Sequence, residues 1–121
     1  MIYTSYYANR ATAPMTRIRI SATTVKGTAA QEYWETVAPD WNTMIGPYKR
    51  GEIGEAEYER RYRAMLDSRT DRITAQWRDI LRRHGGEDIV LLCWCRKGAF
   101  CHRRILAAWL AEHGFEGPRE L

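Results

Sequence analysis

Three cysteines and a histidine fall within ten consecutive positions of the 121-residue chain, inside LLCWCRKGAFCHRRILAAWL at 91–110. Cys93 and Cys95 close an apolar run, Arg96-Lys97-Gly98 makes a short basic turn, and Cys101-His102-Arg103-Arg104 opens an amphipathic segment. A strand that passes through a glycine-containing loop into a helix N-terminus presents free N–H groups and a positive dipole end, which favours anions and thiolates. Cys101 is the expected nucleophile or redox thiol, His102 a base or orienting group, and Cys95 the second thiol at the strand's end. Arg96, Lys97, Gly98 and Arg103 are the expected anion ligands. Cys93, inside the apolar run, reads as packing before catalysis. Thr4 and Tyr6 on a first strand, with Arg17 and Ser21 on a second, are expected to line the same edge, with Cys93 in the wall.

Other chemistry fits these residues less well. Cys93, Cys95, Cys101 and His102 are zinc-type ligands, but the C-x-C spacing lies on a stiff strand and adjacent Cys101-His102 is expected to diverge at a helix start, so no metal and no cofactor is expected. The order strand, Cys95-Arg96-Lys97-Gly98, helix is similar to the rhodanese arrangement, in which a cysteine leads an anion-cradling loop. It departs from that arrangement where Cys101-His102 stands in place of a closing arginine or serine. The phosphatase signature Cys-x5-Arg is not met, because Cys101 occupies the arginine position after Cys95.

A wider resemblance covers most of the chain. The LLC strand, the following turn, Phe-Cys-His-Arg and a helix ending in Trp-Leu resemble the bacterial and phage domain-of-unknown-function 488 family. RISAT at 19–23, APDW at 38–41 and YKRGEIGEAEYERRY at 48–62 support the likeness. The resemblance implies a compact α/β domain with its distinctive residues at Cys93, Cys101, His102 and Arg103, and it implies no established reaction. The family commonly carries Glu where this chain has Cys95.

The elements that must position these residues are legible from periodicity. IYTSYY at 2–7 and RIRISA at 17–22 read as strands, and DIVLLCWC at 88–95 as a strand covered by helices on both faces. QEYWETVA reads as a short helix ended by Pro39, and Asp40 as the cap of a further turn interrupted at Gly46-Pro47. Tyr58, Tyr62, Met65 and Leu66 share one side of a helix ending near Asp67. Ser68 to Asp71 reads as a capping box for a helix carrying Ile73, Trp77, Ile80 and Leu81, stopped by Gly85-Gly86. Ile105, Leu106, Trp109 and Leu110 stripe a last helix that stops at Gly114.

This order predicts a single compact α/β domain over residues 1–121, Rossmann-like, with a small parallel or mixed sheet flanked by helices and the 96–104 loop at its carboxyl edge. Hydrophobic residues at 45% and charged residues at 28% describe a globular chain, with no apolar run near the length of a membrane span. An odd cysteine count clustered in the last third argues for a reducing compartment, and a cytoplasmic location is expected. The formal net charge of +4 is too small for a dedicated nucleic-acid binder, so such binding is expected to be weak. The expected function is an anion- or phosphate-binding pocket at 91–104, serving a cysteine-dependent enzyme acting on a phosphorylated small molecule or nucleotide. The alternative is a non-catalytic nucleotide or nucleic-acid binding module.

Overall fold

A parallel five-stranded sheet with three long helices on one face carries the chain's main buried surfaces. The computed structural model describes residues 1–22, 30–95 and 100–121. The strands are β1 (Ile2–Tyr6), β2 (Thr16–Arg19), β3 (Glu32–Tyr33), β4 (Ile89–Cys93) and β5 (Arg119–Glu120), in the order β3-β2-β4-β1-β5. The helices are α1 (Gly46–Lys49), α2 (Glu55–Asp67), α3 (Thr70–Arg83) and α4 (His102–Glu112). Every pairing is parallel, with Thr4 opposite Leu91, Tyr6 opposite Cys93 and Ile18 opposite Leu91.

The central strand β4 is buried at all five positions, which explains why it reads as a continuous apolar run. Its alternate side chains meet different surroundings. Ile89, Leu91 and Cys93 join the large core made with Tyr58, Tyr62 and Leu66 of α2, Ile73, Trp77 and Ile80 of α3, and Ile105, Leu106, Trp109 and Leu110 of α4. Val90 and Leu92 join a small cluster with Tyr7, bordered by Tyr3, Met15 and Trp94. Among the described residues no α-helix covers this second face, so the expectation of helices on both faces is corrected. The second face carries the short β1–β2 connection, with one 3₁₀ turn at Arg10–Thr12, because that connection is too brief to hold a longer helix.

Local signals are overridden in three places. QEYWETVA is no helix: Glu32–Tyr33 forms β3 and only Glu35–Val37 coils, as a 3₁₀ turn. The Gln31 and Trp34 amides donate to the Arg17 and Arg19 carbonyls, and the Trp34 indole stacks on Trp77 with centroids 5.2 Å apart. Asp40 does cap the next turn, its carboxylate accepting from the Thr43 amide at 2.9 Å. That turn, a π-helical Trp41–Ile45, runs on into α1 through Gly46-Pro47 instead of breaking there, since proline is tolerated in a helix's first turn. Ser68 is not a capping residue for α3. Its hydroxyl donates to the Met65 carbonyl at the end of α2, and Arg69 occupies the cap position. Gly114, at φ +89°, ends α4 as expected. Among the described residues no helix is long and apolar enough to cross a membrane.

Candidate functional site

The carboxyl ends of β1, β2 and β4 lie at one end of the sheet, and α4 begins there. β4 ends at Cys93, so Cys95 stands in the bend beyond the strand and not on it as expected. Cys101 immediately precedes α4 with an extended backbone. The return of the chain onto the strand's end gathers the Cys93, Cys95 and Cys101 sulfurs within 4.8 Å of one another. His102, expected to diverge from Cys101 at the helix start, does not join this group.

The two candidate thiols differ in exposure. Cys101 is 3% exposed and Cys93 fully buried, whereas Cys95 is half-buried. Hydrogen bonds from Cys101 and then Cys93 push the Cys95 thiol below its ordinary range, against the burial cost, and Arg103 and Lys49 act in the same direction. The Cys101 thiol is pushed up by its bonds to Cys93 and Cys95 and by desolvation. The expectation of an accessible Cys101 thiolate at the helix N-terminus is corrected: neighbouring sulfurs and burial favour its thiol form.

His102 is also buried. Its Nε2 donates to the Ile20 carbonyl at 2.9 Å, an acceptor only, which leaves the Nδ1 lone pair facing the Cys101 sulfur at 3.7 Å. Desolvation lowers its pKa despite the opposing pull of Cys93 and of the Ile20 carbonyl. The ring is thus neutral, with Nδ1 beside the Cys101 sulfur, and it packs edge-on against Tyr62.

Arg103, expected as an anion clamp, points into the protein with a fully buried side chain. Its Nε and Nη2 donate to Glu120 at 2.9 and 2.8 Å, and Nη1 donates to the Cys93 sulfur at 3.1 Å and the Cys95 carbonyl at 2.5 Å. Burial opposes its charge, but Glu120 and Cys93 outweigh that and hold the guanidinium protonated. Thr4, expected in the pocket wall, donates instead to Glu120 at 2.8 Å. The other expected anion ligands, Arg96, Lys97 and Gly98, lie outside the described residues.

A cavity of about 450 Å³ opens beside Cys95, with Cys101, His102 and Ser21 also in its wall. Ser21 shares a 2.6 Å hydrogen bond with the Tyr7 hydroxyl. Thr4, Tyr6, Arg17 and Cys93 are not in the wall. Arg17 is paired in register with Val90, whose side chain faces the smaller cluster on the sheet's other side. Five of the thirteen lining residues are Trp, Tyr or Phe, and none of these was expected there from sequence. Tyr48, Tyr58 and Phe100 contact one another at 5.4–5.5 Å between centroids, and Trp41, Trp94 and Lys49 complete the rim. The Lys49 ammonium stands 5.4 Å from the Trp41 ring. Tyr58 was visible only as a core position on the α2 stripe, and nothing in YKRG or APDW signalled that those segments would meet Phe100. Glu120 carried no signal either, since its two-residue strand has no periodicity.

The model for the active DUF488-N3 subclade matches residues 2–114. No curated protein and no solved structure gives a significant match.

Proposed function

The chain belongs to the DUF488 family, in its N3 subclade, and from that premise we propose that it is a cysteine-dependent enzyme with Cys95 as its nucleophile. The observation that carries the reading is the position of Cys95: a half-buried sulfur in the wall of a ligand-sized cavity, hydrogen-bonded by two buried thiols. Those donors favour negative charge on a sulfur that can reach a bound molecule. The subclade's description as active supports catalysis over binding alone. In the step proposed, the Cys95 sulfur bonds to an electrophilic carbon of the substrate while the leaving group departs with its electron pair, and a second acceptor later restores the thiolate. His102 packs beside Cys101, whose proton is directed to Cys95, and Arg103 is a positioning residue.

The substrate class is a phosphorylated small molecule or nucleotide. Rings that line the cavity suit a planar aromatic group, and Lys49 at the rim suits an anion. The same lining favours the second reading, a non-catalytic nucleotide-binding module.

Iodoacetamide labelling of the native chain, read residue by residue by mass spectrometry, tests the first reading. Cys95 is expected to be alkylated in the folded state, with Cys101 and Cys93 protected until unfolding. Labelling of Cys101 ahead of Cys95, or of no cysteine before unfolding, would overturn it. Titration with nucleoside monophosphates separates the second reading, which requires binding with no consumption of ligand and no dependence on the Cys95 thiol.

A further inference from the structure

The sulfur triangle has a use that the nucleophile reading does not require. We propose that Cys93, Cys95 and Cys101 form a site for one zinc ion, with a fourth position open to the cavity. The inference goes beyond the proposed function, because a bound ion would withhold Cys95 from substrate.

Four observations support it. The sulfurs lie within 4.8 Å of one another, and a tetrahedral zinc with Zn–S bonds of about 2.3 Å places its sulfurs roughly 3.8 Å apart, so closure needs shifts of under about 1 Å. The ligands are thiols alone, which selects a soft or borderline cation over magnesium or calcium. An outer partner is already in place: Arg103 donates to the Cys93 sulfur at 3.1 Å and is itself fixed by Glu120. Cys95 and Cys101 border the cavity, which supplies an entry path and room for a water as fourth ligand.

Charge decides the ion. With the Arg103 guanidinium already matched by Glu120, three thiolates and one divalent cation leave a single net negative charge, whereas a monovalent copper ion would leave two in a largely buried place. Each thiol that becomes a ligand releases its proton to solvent. The His102 imidazole stands against Cys101 alone and is not needed as a ligand.

The test uses the full chain, stripped with chelator under a reducing agent. Zinc is titrated in competition with a chromophoric chelator, and cobalt serves as a spectroscopic probe. One equivalent is expected to bind, cobalt is expected to give a sulfur-to-metal charge-transfer band, and zinc is expected to slow Cys95 alkylation at least tenfold. Cys95→Ser and Cys101→Ser should each weaken binding by more than the roughly 10–100-fold typical of losing an outer-shell partner. Near-UV circular dichroism verifies that both variants fold. Absence of binding, a cobalt spectrum without the thiolate band, or unchanged affinity in folded Cys95→Ser would overturn the proposal; the last result would place zinc elsewhere, as at His84 with Glu32 and Glu87. Alkylation of the metal-free chain judges the nucleophile reading separately. A chain that binds zinc through these thiols but resists alkylation when metal-free keeps this inference and loses the other.

Discussion

Arg103 shows how a single side chain can be misjudged when only its neighbours in sequence are known. Beside His102 and Arg104 it reads as part of a basic patch, yet its guanidinium is buried and shared between Glu120 and the backbone and sulfur of the cysteine segment. Removing its counter-charge leaves an uncompensated buried cation, so Glu120→Ala is expected to cost about 3 kcal/mol in urea unfolding. Thr4→Val removes only one neutral donor to the same carboxylate and should cost about 1 kcal/mol. Equal, negligible losses in both variants would mean that the pair is solvated in solution. Cys101 was misjudged for a related reason. The helix start that should have lowered its thiol is present, but the fold places the sulfur under the end of β4, and that placement depends on residues distant in sequence.

At the scale of elements, legibility followed burial. β4 and α2 to α4 each carry an apolar pattern of their own, and their positions were readable to within a few residues. β3 and β5 contain two residues each and exist only because an edge of the sheet is available, so no local pattern announces them. β3 is fastened from the helix side by Trp34 on Trp77 and by Glu32 on Arg83 and His84. Trp34→Ala is expected to cost about 3–5 kcal/mol, measured by urea denaturation, because it empties a large aromatic site in the main core. Burial would raise the Glu32 pKa, but hydrogen bonds from His84 and Arg83 overcome it and bring it below its ordinary value of 4.5. A carboxylate lowered in this way stabilises the fold above its unfolded pKa, and the contribution fades as pH falls through the folded one. Urea midpoints should therefore drop more steeply from pH 5 to pH 3 in the parent chain than in Glu32→Gln. Parallel pH profiles for the two would remove the carboxylate from this role.

For the whole molecule, net charge and topology set different properties. A formal net charge of +4, with arginines matched in pairs such as Glu57 with Arg61 and Asp79 with Arg83, predicts weak and salt-sensitive attraction to polyanions. Fluorescence anisotropy with a short DNA and a short RNA should show binding that falls away between 50 and 200 mM salt, on the scale expected for few phosphate contacts. Tight binding at the higher salt would point to a recognition surface not described above. Topology matters more for the thiols. β1 meets β4 through pairings as distant as Ile2 with Ile89, and no two neighbouring strands of the sheet are joined by a hairpin. Loop-closure entropy makes such pairings slow to form. Until the sheet closes, all three sulfurs are open to oxidants and electrophiles, and afterwards Cys93 is sealed at the centre. The rate at which Cys93 becomes reactive in the mature protein is therefore a clock for global opening, built into the chain without any added label.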